Sequence, residues 1–568
     1  MFQDEKLIEI KTCKQCNSSF EITDRDLEFY EKVSPSFGGK KYNISSPTLC
    51  PDCRQQRRLS FRNERNLYKR KCDSCSLECI SMYSQDKKDY KIYCQDCWWN
   101  DNWDPLEYGK DFNFEKGFFE QFGNLTKEVP KVCLTNTYKA NENSQYVNYI
   151  INAKNSYLCF GGGVIENVYY SNFSLRCNDC LDIYSCDNCE NCYESSNCRN
   201  CYKTFYSANS NNCENCYFLE NCEGCSHCIG CKNISNKKYY VFNKQVDKEE
   251  FESILSNIYY NLNTTKINNL FQKIPTKNCI IFNSQNCVGN LISDSKDCYN
   301  VFNVKETENA KNATDIIIGQ DIYDTNYVGL NASKIYEVMN TSINVSNLLF
   351  SMILRDNTYN ILYSSDIHGC SNCFGCIGLR NKSYCILNKQ YTKEEYEILV
   401  PKIIEHMMET GEWGEFFPSS ISPFGYNETV AQEYFPISRD KALPYLYNWS
   451  TYEPPFPHVD KIIPSNKLPK DITKIPDDIL NRAIECEITK KPFRIIKQEL
   501  EFYRKHNIPI PKRHPDQRHL DRMNLRNPRK LFDRKCDKCG KDIKTTYSPD
   551  RKEIVYCEEC YNTLLLCF

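Results

Sequence analysis

The chain has 568 residues, too many for one hydrophobic core, so several units are expected. Its 72 Lys and Arg nearly cancel 74 Asp and Glu, which excludes a global electrostatic field as the means of selecting a partner. The opening MFQDEKLIEI has no apolar stretch of a secretory leader, and no run of about eighteen apolar residues occurs, so a cytoplasmic protein with reduced thiols is expected from its 37 cysteines.

The first elements are two pairs of CxxC knuckles. Cys13, Cys16, Cys50 and Cys53 form one set, and Cys72, Cys75, Cys94 and Cys97 the next. Two thiolates from each knuckle suit one tetrahedral zinc ion. The stretch after Cys53, RQQRRLSFRNERNLYKRK, reads as a basic helix that begins at the second knuckle. From Cys50 to Lys71 there are eight Lys/Arg against two Asp/Glu. Trp98, Trp99 and Trp103 follow the second set and are expected to glue it to the first solenoid rather than bind a ligand.

From Cys177 the cysteines recur every three, six or twelve residues, and Glu-Asn recurs every 24 at Glu142, Glu166, Glu190 and Glu214. Short fixed periods without heptads indicate a stacked solenoid. A parallel β-helix with about 24 residues per coil, in two similar halves, is expected. The cysteine columns are filled upstream by Ala153, Ile165, Ser156, Val168, Gly162 and Ser174. Ala and Val are not ligands, so the column cysteines read as small packing residues. Cys222, Cys225, Cys228 and Cys231, the densest cluster, are the remaining metal candidate.

Residues 225–254 match 370–399 at a constant offset of 145, which marks a second solenoid with Ile, Val and Leu in place of most cysteines. Asp247 with Glu250, and Thr392 with Glu395, read as capping boxes of helices that close each stack. A segment rich in proline and aromatics follows and reads as a connector.

The C-terminus repeats the N-terminus. Cys13 aligns with Cys486, Phe20 with Phe493, Leu27 to Tyr30 with Leu500 to Tyr503, and Cys50 to Arg54 with His514 to Arg518. Cys16 and Cys53 become Thr489 and Gln517, so no metal is expected in this copy. Cys536, Cys539, Cys557 and Cys560 keep the other quartet. Cys79 aligns with Ile543 and reads as packing. Phe502 to Lys535 holds eleven Lys/Arg against three Asp/Glu. Arg518, Arg522, Arg526, Arg529 and Arg534 stand in register with Arg54, Arg58, Arg62, Arg65 and Arg70. With Arg57 they form a stripe on one helical face, although Pro528 must break the second copy. The stripe reads either as a phosphate-binding face or as a solvated or internally paired one.

The fold class is thus multidomain and mainly β. Two stacked parallel β-helix-like solenoids are flanked by N- and C-terminal zinc-ribbon or treble-clef modules, with short capping helices. The expected units are 1–130 (tandem ribbons), 131–245 (first solenoid), 246–275 (cap), 276–390 (second solenoid), 391–415 (cap), 416–485 (connector) and 486–568 (degenerate clef plus ribbon).

Cys13 to Arg54 resembles the probable zinc-ribbon domain of treble-clef type. Nearly the whole chain resembles a family of uncharacterised zinc-ribbon proteins from candidate-phyla bacteria. The resemblance lies in CPDCRQQRRLSFRNERNLYKRKC (50–72), the paired repeats at 225–254 and 370–399, GEWGEFFPSSISPFGYNETVA (411–431), and the stretch from KPFRIIKQELEFYRKHNIPIP to HPDQRH (491–519). It implies zinc binding and no established activity.

The chain has no P-loop, GxSxG, HExxH or dinucleotide fingerprint, and only seven histidines. Four protein ligands per zinc close the shell, so a non-enzyme is expected, with about three zinc ions per chain. A ladder of Glu166, Glu190 and Glu214 leaves a carbohydrate-active β-helix as a weaker reading. Three functions stay open: a scaffold binding RNA or a ribonucleoprotein through the arginine stripes, a protein-interaction module using the solenoid surface, and a metal-storage or redox protein. Neither a membrane nor a small-molecule substrate is expected.

Overall fold

The computed structural model describes residues 5–261, 264–454, 459 and 461–565; Pro455–His458 and Asp460, within the expected connector, lie outside them. A three-residue unit generates most of the structure. Cys177, Cys180, Ile183, Cys186, Cys189 and Cys192, three apart, are all buried. Between them Asp179, Asp182, Ser185, Asn188 and Asn191 adopt φ from +49° to +56°. A left-handed residue turns the chain, and four such corners close a coil.

The coil is twelve residues long. Glu166 pairs in parallel with Asn178, and Tyr193 with Phe205. The 24-residue expectation is therefore corrected. Glu-Asn marks every second coil, whereas the ladder hydrogen bonds join residues one coil apart. In the second solenoid some coils hold thirteen residues, as in Tyr323 to Tyr336 and Leu349 to Leu362.

So short a coil leaves room inside for four modest side chains, which explains the cysteines. The first lumen is packed with Cys, Ile and Val, with Ser195, Thr204, Ser207 and Ser210 equally buried. The lumen thiols and hydroxyls share one task. Cys180 Sγ donates to Asn178 O (3.1 Å) and Cys189 O (3.5 Å), and Ser195 Oγ donates to Tyr193 O and Thr204 O (both 3.0 Å). Each ties its own coil to the next, so Cys, Ser and Thr interchange. The second lumen uses Val, Ile, Leu and Ala for the same volume. Outside, asparagines stack at left-handed corners, a conformation they tolerate better than most side chains. Asn188 Nδ2 donates to Asn200 Oδ1 (2.8 Å), and Asn200 Nδ2 to Asn212 Oδ1 (3.1 Å).

The two solenoid sheets span Val147 to Gln245 and Ile281 to Gln390. Each ends in an antiparallel turn, where Phe242-Asn243 and Leu387-Asn388 both have positive φ, as a two-residue hairpin of right-handed twist needs. A helix follows each turn. The Lys393–Glu409 helix has the full Thr392/Glu395 capping box. The Lys248–Ser256 helix has half of one, because Asp247 accepts from Glu250 N without a return bond. Phe251 seals the first stack against Ile229 and Val241.

Lys131–Val132 pairs with Ile92–Tyr93 and completes the second ribbon, and Thr276–Lys277 pairs with Val555–Tyr556 of the C-terminal ribbon. The tryptophans differ from expectation. Trp98 and Trp103 clasp Arg380 and Trp98 lies against His368, so they fasten the ribbon to the end of the second solenoid. Trp99 stacks on Tyr138, ahead of the first solenoid.

Candidate metal centres and the arginine clamps

Three cysteine quartets converge. Cys13/Cys16/Cys50/Cys53, Cys72/Cys75/Cys94/Cys97 and Cys536/Cys539/Cys557/Cys560 each place four sulfurs within 4.8 Å of one another. A tetrahedron with metal–sulfur bonds of about 2.3 Å has edges of about 3.8 Å. Sγ–Sγ distances between knuckles are 3.6 Å (Cys16–Cys50), 3.9 Å (Cys75–Cys94) and 3.8 Å (Cys539–Cys557). These distances fit a shared ion and are far too long for a disulfide.

The backbone builds each site twice over. The residue after the first knuckle is left-handed in every copy, at Asn17, Ser76 and Gly540. It folds the chain so that both thiols face one point. The second knuckle starts a helix, Pro51–Leu59, Gln95–Trp99 or Glu558–Leu565. The positive end of that helix favours thiolates. Burial opposes ionisation of Cys536, but N–H groups of Cys557, Cys539 and Lys538 outweigh it and bring the thiol to about 6.

The degenerate copy keeps the turn and helix. Lys490 is left-handed (φ +59°), Thr489 N–H donates to Cys486 Sγ, and His514 caps the Pro515–Leu525 helix by accepting from Asp516 N. The solenoid cysteines, including Cys222, Cys225, Cys228 and Cys231, form no four-ligand group among the described residues. Their thiols point to carbonyls instead. Cys79 lies in the apolar cluster of Met82, Tyr83 and Ile92.

The arginine stripe is corrected on two counts. Only Pro51–Leu59 is helical in the first copy, so Arg62 and Arg65 follow the helix and Arg70 lies on a strand. The second helix ends at Leu525, before Pro528. More importantly, the arginines face inward. Arg54 donates twice to Asp324 (2.9 Å each), Arg58 to Glu337 (2.6 Å), and Arg57 to Glu337 (3.1 Å) and Glu415 (3.0 Å). Arg62 pairs with Glu64 between the rings of Tyr149 and Tyr327. Arg65 donates to Asn172, and Arg70 to Ser84 O and Asp73. In the second copy Arg518 reaches Asp182 (2.6 Å) and Glu499, and Arg522 reaches Glu194 (2.9 Å). Arg526 meets Tyr184 and Tyr434, Arg529 meets Asp315, and Arg534 lies against Asp537. Arg54, Arg58, Arg62, Arg518 and Arg522 are at most 5 % exposed. A guanidinium already desolvated and paired with carboxylates has no free face for phosphate.

The acidic partners are residues that sequence reasoning missed. Asp182 and Glu194 occupy one corner on successive coils, as do Asp324 and Glu337. Continuing down that corner gives Tyr206, Phe218 and Gly230 in the first solenoid, and Phe350, Tyr363 and Gly375 in the second. The aromatic pairs stack at 4.7 and 4.8 Å. The column acid, acid, aromatic, aromatic, glycine is therefore duplicated. Thirteen-residue coils slide its members out of the 145 offset, which hides it from alignment. The N-terminal clef docks on the second solenoid and the C-terminal clef on the first, through equivalent arginines and equivalent acids.

Fold and site together define a β-solenoid scaffold that carries cysteine-quartet metal modules near both ends. No family model matches the chain, and no curated protein matches it. Among the described residues, no helix is long and apolar enough to cross a membrane.

Proposed function

We propose that this is a cytoplasmic, non-enzymatic scaffold with three zinc ions, one holding the N-terminal clef in the shape that clamps it to the solenoids and two building the ribbons, as part of the zinc-ribbon family it resembles. The observation that carries the reading is the position of Arg54. It donates its N–H to Cys50 O at the start of the clef helix, directly after the ligand Cys53, and its side chain holds Asp324. The metal-built turn thereby sets the docking of the whole module. The outer solenoid faces and the clef edges are left to meet a protein partner. Elemental analysis of protein purified under reducing conditions tests the zinc. About three zinc ions per chain are expected, and five or more metals, or iron, would sink the reading.

Nucleic-acid binding is a second reading with a single foothold. A cleft of about 620 Å³ beside the second ribbon is lined by Arg70, Lys71, Lys88 and Lys91, together with Asp73 and Tyr90. Filter binding with mixed RNA tests it. Lys71/Lys88/Lys91→Ala should abolish retention, whereas retention that survives the triple change removes this cleft as the site.

A further inference from the structure

The two clef copies differ in one place that no metal explains. Each has a strand just before its first knuckle, Leu7–Thr12 in the first and Ala483–Glu485 in the second. Each pairs antiparallel with the next strand in the same register, Lys11 with Phe20 and Ile484 with Phe493. In the second copy the outer edge is covered. Ile462–Pro464 lies parallel to it, Ile462 beside Ala483 and Ile463 beside Ile484, and Ala483 N–H donates to Lys461 O (3.1 Å). In the first copy the Leu7–Thr12 sheet has two strands among the described residues.

That outer edge is built to pair. Cys13 N–H points inward, to Ser18 O. By the alternation of an antiparallel ladder, the backbone groups of Thr12 and Ile10 point outward, up to a bulge between Leu7 and Glu9 that ends the regular register. Ile10, the equivalent of fully buried Ala483, is 62 % exposed, and Ile8 is 54 % exposed. Exposed isoleucines on an unpaired edge are what proteins usually avoid. The ribbons follow the same habit of closure, since Ile92–Tyr93 and Val555–Tyr556 each take a short parallel strand from outside their hairpin.

We infer that the Leu7–Thr12 edge is a β-augmentation site for an extended segment of a partner protein. The segment runs parallel and carries two β-branched apolar residues before a proline, as Ile462-Ile463-Pro464 does in the covered copy. The edge hydrogen bonds supply affinity, and the proline ends the added strand where the knuckle begins. This rests on the scaffold reading and names its partner's chemistry.

The probe is a labelled peptide of residues 459–468 added to the full, zinc-loaded chain and followed by fluorescence anisotropy. Saturable binding is expected. Ile10→Pro removes the outward N–H but none of the inward bonds, and should weaken binding about tenfold. Ile10→Lys keeps the backbone and should weaken it in the same direction by charging the edge. No binding by protein that holds three zincs, or binding indifferent to both changes, overturns the inference and leaves the zinc reading standing. A wild-type dimer that Ile10→Pro splits, without peptide uptake, also overturns it by giving the edge to a second copy.

Discussion

The two clefs show two ways to hold one shape. The N-terminal copy packs Phe29, Tyr30, Leu59 and Phe61 of its helices into a large core with Tyr323 and Tyr336 of the second solenoid, and keeps a separate small cluster of Cys13, Phe20, Ile22, Cys50 and Cys53 around its knuckles. In the C-terminal copy, with two of those cysteines replaced, the knuckle residues Cys486 and Phe493 join the shared core instead of forming a cluster of their own. Leu468, Ile472, Ile475 and Ile479 from the connector meet Ile484, Phe493, Leu500 and Phe502 of the clef and Tyr170, Tyr193 and Phe205 of the first solenoid. Ile462–Pro464 adds a third strand. Packing can stand in for a metal when enough apolar surface is brought to the site. Both copies nevertheless keep the knuckle turn and the arginines, because the clamp needs the helix in place however it is held.

Removing metal tests this contrast most severely. Cys13→Ser with Cys16→Ser should unfold the first clef, since a structural zinc site contributes on the order of 10 kcal/mol. Hydrogen exchange should then lose protection over residues 7–62 and keep it over 483–510. Equal loss in both segments would mean that the two clefs are not independently held. Breaking the clamps should cost less and should cost the same on both sides. Asp324→Ala removes both hydrogen bonds to Arg54, and the equivalent Asp182→Ala removes the shortest one to Arg518. Each should lower stability by about 3–5 kcal/mol in denaturant melts, because a buried charge loses its closest partner. In the packed copy Ile475→Ala should cost about 2–4 kcal/mol and leave zinc content unchanged.

The solenoid separates volume from chemistry. Cys180→Ser keeps both carbonyl contacts and should move stability by about 1 kcal/mol or less, whereas Cys180→Leu overfills the lumen and should cost about 1–3 kcal/mol. Acid gives the smallest effect, on the packed side. Burial, with Lys505 and Lys203 nearby, lowers His506 from its ordinary value to about 4. Its ring lies against Phe205 and Phe502. The unfolded chain takes up the proton first, so this contribution is whole above about pH 6.5 and is lost as pH falls toward 4. His506→Gln should flatten the decline in that window, as read from chemical melts at stepped pH.

Much of this was legible in the sequence. CxxC spacing named all twelve sulfurs that converge, because a knuckle is a local turn whose ligands are fixed by a few residues. The alignment of Cys13 with Cys486 exposed the damaged copy. Recurring cysteines exposed the solenoid, and the Ala, Val and Ser in their columns exposed the role of volume. The coil length was misread because alternate coils look alike, and only strand register distinguishes twelve from 24. The arginines were left open between two readings for a deeper reason. Sequence sets the charge and spacing of a helix but not what lies across from it. Asp324 stands 270 residues from Arg54, and Asp182 stands 336 from Arg518. Whether a guanidinium faces solvent or a buried carboxylate is decided by desolvation at an interface that exists only once the solenoids have coiled. The sequence by itself determined the local geometry, the ligands and the lumen. The tertiary structure decided which surfaces were consumed in holding the molecule together and which strand edge was left open.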